Sequence, residues 1–290
     1  MTTVLSEGAY AQASTYLIAA ATVILAIAFV AHVAEWALAR GSDEEPGSAA
    51  VAAGIGRSVT VLAWLILIAG VVARGLAAGR VPWGNMYEFG CAAVVLMLAA
   101  YLLLLRRWGR AIDWTGAAVT GIGTVVLGAS MLVYVPAGPL VPALHSYWLV
   151  IHVFAAMLAG AAFVIGAVAS AAYLLKSRRP ESFSRLPSPE RLDEIAFKVN
   201  AFAFPIWTFA ALIAGPIWAQ YAWGRYWGWD PKEVWAFITW VVYAGYLHAR
   251  ATAGWKGRAA AILCLIGFAT FLFNFVGVNL FVGGLHSYAK

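Results

Sequence analysis

Apolar residues run through the chain in long stretches separated by short polar breaks. A hydrocarbon core about 30 Å thick takes ~20 residues of helix to cross. Eight stretches are long enough: roughly Tyr16–Leu38, Ser58–Ala78, Tyr87–Leu105, Trp114–Val135, Tyr147–Leu175, Asn200–Tyr221, Ala236–Ala253 and Ala259–Val282. They fill nearly the whole sequence, so the pattern predicts an all-α, polytopic integral membrane protein of about eight transmembrane helices with no second soluble domain. The first stretch exceeds a signal-peptide core of about 7–15 residues and no basic region precedes it, so it is expected to stay as a helix. The one sizeable polar segment, Ser177–Lys198, contains Ser188-Pro189-Glu190, and a proline in a first turn predicts a short interfacial helix there.

The basic residues alternate from side to side. Arg40, Arg57, Arg106, Arg107, Arg110, Lys176, Arg178, Arg179, Arg185, Arg191, Lys198, Arg250, Lys256 and Arg258 fall on one side, and Arg74, Arg80, Arg225, Lys232 and Lys290 on the other. The more basic side is expected to face the cytoplasm, which puts both termini and the loop between the sixth and seventh helices outside. The net charge of +6 is explained by the same bias without invoking nucleic acid. At 63% hydrophobic and 11% charged, the 290 residues differ from a soluble domain, which is roughly 45–50% apolar and about 25% charged. Two cysteines exclude a disulfide framework. Composition leaves 14 tryptophans to be explained.

Eight of them lie between Trp207 and Trp255, and the densest run is Trp223-Gly-Arg-Tyr-Trp-Gly-Trp-Asp-Pro-Lys-Glu-Val-Trp235. An interfacial aromatic belt scatters single rings over many helix ends. Here Trp223, Trp227, Trp229 and Trp235 are crowded into one external loop, spaced by Gly224 and Gly228, with Arg225, Asp230 and Lys232 at the margin. That combination suits a large planar ligand with an apolar face and charged edges, such as a porphyrin with two propionates.

The run WGRYWGWDPKEVWAFITW resembles the tryptophan-rich "WWD" signature of haem-handling proteins, and its KEVWAFITW ending resembles the CcsA/ResC branch, the membrane subunit of the System II cytochrome c synthase. The segments VPWGNMYEF, VPALHSYWLVIHV, LDEIAFKVNAFAFP, YLHAR and NFVGVNLFVGGLHSY are also similar to that family, so the resemblance covers most of residues 80–290. The expected organisation is therefore an N-terminal pair of helices in residues 1–80 and a haem-handling domain in 81–290, with the WWD loop at 223–235.

Axial imidazoles commonly hold haem iron. Of the five histidines, His152 is expected about one turn inside the outer end of the fifth helix and His286 just beyond the outer end of the eighth, so both border the tryptophan loop. The resemblance assigns the same two as the external haem ligands. His145, seven residues before His152, could share a face with it, but Pro142 is close by and the family match falls on His152, so His145 is read as a supporting residue. His248 lies 13 residues after Trp235 on the seventh helix, about 20 Å down at 1.5 Å per residue, toward the cytoplasmic side. An intramembrane ionisable residue is a functional candidate, and the resemblance implies a haem ligand on the route inward from the cytoplasm, paired with one from a ResB/CcsB-type companion protein. His32, with Glu35 at i+3, is an alternative internal partner.

Arg74, Arg80 and Arg225 are candidates to bind propionates, since a guanidinium matches a carboxylate through two parallel bonds. Asp230 borders the platform and, with Glu233, is expected to fix the loop by local hydrogen bonds. Glu88 is placed to complement a helix N-terminus. No C-x-x-C-H and no C-x-x-C occurs, so the chain is neither a c-type cytochrome nor a thiol reductant, and no phosphate-binding glycine loop suggests a nucleotide. The resemblance implies haem b, transported or received across the cell membrane and presented on the WWD platform to the CxxCH motif of apocytochrome c. Alternative readings are CcmC-like delivery of haem to a chaperone, a b-type electron-transfer subunit, and a transporter for an apolar solute.

Overall fold

The computed structural model describes residues 2–38, 47–140 and 142–286, and all regular structure among them is helical. Arg40 and Lys290 of the charge pattern, and the end of the GLHSY segment, lie outside the described residues. The chain forms two compact units, Met1–Pro139 and Leu140–Lys290.

The first unit contains α1 (Thr2–Leu38), α2 (Gly47–Ala78), α3 (Met86–Trp108), a single turn α4 (Arg110–Asp113) and α5 (Gly116–Leu132). α1 packs along α2, and α5 lies against both α1 and α3. Lipid tails are as apolar as leucine, so close backbone approach rather than hydrophobic expulsion brings such helices together. Glycines provide it: a Cβ on Gly70 would stand 2.8 Å from the Ile18 side chain, and one on Gly123 would stand 2.9 Å from Leu25. α3 starts at Asn85, whose side-chain oxygen accepts the Glu88 amide at 2.9 Å.

The second unit contains α6 (Tyr147–Arg178), α7 (Pro189–Thr208), α8 (Gly215–Trp223), α9 (Pro231–Thr252), α10 (Gly257–Leu272) and a last turn α11 (Val278–Phe281). Two π-helical segments, Phe209–Ala214 and Phe273–Gly277, join α7 to α8 and α10 to α11. Ser188 caps α7, its hydroxyl accepting the Arg191 amide. The interfacial helix expected at Ser188-Pro189 is not a separate element, because Pro189 opens a helical run that continues to Trp223 over 35 residues. Nothing between Lys198 and Asn200 breaks the backbone ladder, so the amphipathic turn and the span fuse.

Among the described residues, six helices are long and apolar enough to cross a membrane. The other two of the expected eight stretches form helices that meet only one of the two requirements. α5 is apolar but 17 residues long, and α9 has 22 residues but includes Lys232, Glu233, His248 and Arg250. In the core of the second unit, Phe163 stacks on Tyr243 with ring centroids 3.9 Å apart, and Trp207 and Phe271 meet Phe163 edge-on. Asn200, fully buried, donates to the Ala196 carbonyl and to Cys264 Sγ.

Candidate functional site

The tryptophan loop is shaped by its ends. Gly224, with φ +73°, closes α8 in the left-handed region that a side chain disfavours. Asp230 opens α9 with a full capping box: its carboxylate accepts the Lys232 amide, and Glu233 Oε2 accepts the Asp230 amide at 3.0 Å. Glu233 Oε2 also accepts the Gly228 amide at 2.8 Å, so one carboxylate grips the backbone on both sides of Trp229. Trp229 sits at φ +58°, unusual for a bulky residue, with its indole 67% exposed and edge-on to Trp227. Trp235 leaves the loop and packs against Phe273 at 4.2 Å. The exposed Arg225 lays its guanidinium across Gly228.

Trp223 is turned toward His286. Its ring lies edge-on to His286 at 4.8 Å and edge-on to Trp218 at the same distance. His286 Nδ1 is 2.8 Å from Asp230 Oδ2. The other carboxylate oxygen, Oδ1, accepts the Leu285 amide at 2.7 Å, and a Cβ on Gly284 would stand 2.6 Å from it, so Gly284 is what lets the chain come this close. Burial pushes the His286 imidazole below its ordinary pKa, against the opposing pull of the Asp230 carboxylate. Burial acts upward on Asp230, but bonds from His286 and from the Leu285 and Lys232 amides outweigh it and hold the carboxyl below its ordinary range. The Asp230 carboxylate can only accept, so Nδ1 is the donor, and in the neutral imidazole the lone pair lies on Nε2.

His152, in the first turns of α6, is held in the same sense by a different group. Its Nδ1 is 2.9 Å from the Ala210 carbonyl, which can only accept, so the lone pair is again on Nε2. Trp218 stacks parallel to His152 at 5.9 Å with 9° between the planes, and meets His286 at 5.6 Å. One indole thus touches both imidazoles. Metal-binding histidines typically donate their second nitrogen to a carboxylate or carbonyl, which fixes the ring and its tautomer, and here both do. Among the described residues no three His, Cys, Asp or Glu gather to hold a metal. Two imidazoles without a third protein ligand fit a metal that arrives with its own equatorial ligands, as a porphyrin supplies.

The remaining expected residues are placed as follows. His145 Nε2 lies 3.2 Å from the Leu140 carbonyl. His248 is exposed on α9. His32 is buried within the first unit, 3.5 Å from Glu35 Oε2 and 3.5 Å from the Thr60 hydroxyl, and wedged against Gly56 and Gly116. Arg74 and Arg80, also in the first unit, converge on Glu88: Arg74 Nε donates at 3.0 Å, Arg80 Nη1 at 2.7 Å, and the Gly84 amide at 2.8 Å. Arg74 further donates to the Val135 carbonyl and Arg80 to that of Gly138. Sequence reasoning did not single out Trp218, Gly215 or the Ala210 carbonyl. The tryptophan was one of a counted cluster, and nothing in a sequence marks which carbonyl a π turn will expose.

Residues 83–286 match the family described as Cytochrome C assembly protein. The chain belongs to that family. Among its relatives, the cytochrome c biogenesis protein CcsA of Synechococcus sp. strain CC9902 is 35% identical over 93% of this chain and 94% of its own length. The CcsA proteins of Microcystis aeruginosa and of Synechococcus elongatus are each 35% identical over 81% of this chain and 87% of their own. The matched region begins at the turn before α3 and ends at His286, so it takes in both imidazoles and the whole tryptophan loop.

Proposed function

We propose that this protein presents haem for covalent attachment to apocytochrome c. The observation that carries this reading is the pair His152 and His286, each with Nδ1 tied to an acceptor, both against Trp218 and beside the tryptophan loop. The substrate is haem b, held between the two Nε2 atoms, with Trp223, Trp227, Trp229 and Trp235 offering an apolar surface and the exposed Arg225 placed for a propionate. Asp230 acts through His286, and Arg74 and Arg80 hold Glu88 in the first unit. The loop faces the outer side of the cell membrane, in keeping with the distribution of Lys and Arg.

The chain's own work is to hold, orient and release. Two axial imidazoles leave iron no open position, which protects the haem until a CxxCH segment arrives. The histidine of that segment replaces one imidazole. Each cysteine thiol then adds across a vinyl group, sulfur bonding to the inner carbon and the proton going to the terminal carbon. Exposed on α9, His248 suits a ligand on the inward route whose partner comes from another chain, a ResB/CcsB-type subunit.

The test is the absorption spectrum of protein purified from haem-replete cells. His152→Ala and His286→Ala are each expected to lower the Soret band severalfold, and added imidazole to restore part of it. Full haem content and full maturation of a CxxCH cytochrome in both variants would overturn the reading. Delivery to a chaperone in place of attachment would show as haem transfer without thioether formation when a CxxCH peptide is offered.

A further inference from the structure

The Phe209–Ala214 π segment is the only place where the ladder of the Pro189–Trp223 helix changes register among its described residues. In an α-helix the Ala210 carbonyl would accept the amide four residues on. Here it accepts the amide of Gly215, five residues on. The turn is widened, and a carbonyl oxygen with two lone pairs is left able to accept a second donor from the side. That second donor is His152 Nδ1, 2.9 Å away on α6.

Gly215 stands where this contact would be blocked. A Cβ there would lie 3.1 Å from the Ala210 oxygen and 3.2 Å from both Nδ1 and Cε1 of His152, tighter than such contacts normally run. Three residues further on, one turn along the same face of α8, Trp218 lies parallel to the imidazole. The ring of His152 is thus fixed at three points: its proton by Ala210, its edge by the bare face of Gly215, and its plane by Trp218. A backbone carbonyl in a register-shifted turn cannot rotate away as a side-chain acceptor can.

We infer that the π segment Phe209–Ala214 together with Gly215 is a positioning device for His152, setting the tautomer and the ring plane with which it binds haem iron. This rests on the reading of His152 as an iron ligand. His152 is the residue that touches iron, and Gly215 acts through it. The orientation of an axial imidazole plane sets the splitting of the low-spin ferric signal, so the device has a spectroscopic signature apart from protein stability.

The experiment compares haem content and the ferric electron paramagnetic resonance spectrum for Gly215→Ala, Gly215→Val, His152→Ala and the double variant His152→Ala/Gly215→Ala, all purified from membranes with and without imidazole. Outer hydrogen-bond partners of metal ligands are typically worth 10–100-fold in affinity. Gly215→Ala is expected at about the tenfold end, with a shifted low-spin signal, and Gly215→Val beyond it, with a high-spin fraction that imidazole reverses. In the His152→Ala background, Gly215→Ala should change nothing further. An unaltered spectrum and haem content in Gly215→Ala and Gly215→Val, alongside loss in His152→Ala, overturns the positioning role and leaves the haem reading standing. Additional loss in the double variant also overturns it, since Gly215 would then act elsewhere. No loss in His152→Ala overturns the haem reading itself. If the Gly215 variants fail to accumulate, deletion of Ala211, which takes one residue out of the widened turn, reads the same signal through the carbonyl.

Discussion

Each of the two units buries a carboxylate next to a turn, and the two carboxylates are used in opposite ways. In the first, Glu88 accepts from Arg74, Arg80 and the Gly84 amide, and both guanidinium groups go on to backbone carbonyls. Guanidinium can only donate, so every bond in that cluster ends on an acceptor of the chain itself and the network is closed. In the second, Asp230 accepts from the Lys232 and Leu285 amides and from His286. Imidazole donates at one edge and, when neutral, carries a lone pair at the other, so a network of the same kind ends on an atom that can still accept a proton or a metal. The amino acid at the end of the hydrogen-bond chain decides whether the network is closed on the chain itself or leaves an atom able to bind something further.

The comparison breaks most visibly at Glu88. Removing one partner of a buried ion pair leaves the other charge uncompensated, typically at a cost of about 3–5 kcal/mol. With Arg74 almost fully buried, Glu88→Ala should fall in that range, read as a large drop in thermal midpoint or in yield from membranes. An unchanged midpoint would mean that the cluster is not closed. Asp230→Asn should show the opposite profile. Asparagine caps a helix nearly as well as aspartate, so stability should change by less than about 1 kcal/mol, while haem affinity falls about 10–100-fold through the lost carboxylate behind His286. Equal effects of Asp230→Asn on unfolding and on haem retention would erase the distinction between the two units. The smallest effect belongs to Glu194, which bridges Arg191 and Lys198 at 2.6 Å on an exposed face of α7. Glu194→Gln should leave both the midpoint and the haem content within measurement scatter, because exposed pairs are screened by water and salt.

The helices were legible in the sequence because burial in lipid depends on residue type, and of the five histidines the two that were singled out beside the tryptophan run lie against one indole, Trp218. Long apolar stretches mark every one of the larger helices, and the tryptophan run marks the loop. Asp230 and Glu233 were legible too, as the D-P-K-E pattern is a capping box whose partners are three residues apart. What could not be read is what depends on register or on distant contact. The π turns leave no trace in composition, so neither the Ala210 carbonyl nor the need for Gly215 could be foreseen. Arg74 and Glu88 are 14 residues apart across a turn, and in sequence Arg74 resembles any arginine near a membrane boundary. The continuous run from Pro189 to Trp223 is not legible either, because its polar first turns and its apolar remainder carry different signals in sequence although one backbone ladder joins them.

Trp229 has a consequence in light rather than in binding. A non-glycine residue held at φ +58° costs on the order of 1–3 kcal/mol, and here Glu233 clamps the amides on both sides of it. The outcome of that strain is an indole with two thirds of its surface bare, the most exposed among the described tryptophans. Its emission is expected furthest to the red, and a water-borne quencher such as iodide is expected to reach it first. Any planar chromophore settling on the loop would drain its excited state at short range. Trp229 is thereby a natural fluorescent reporter on the loop proposed above to receive haem, and quenching of its emission on haem addition would follow binding directly.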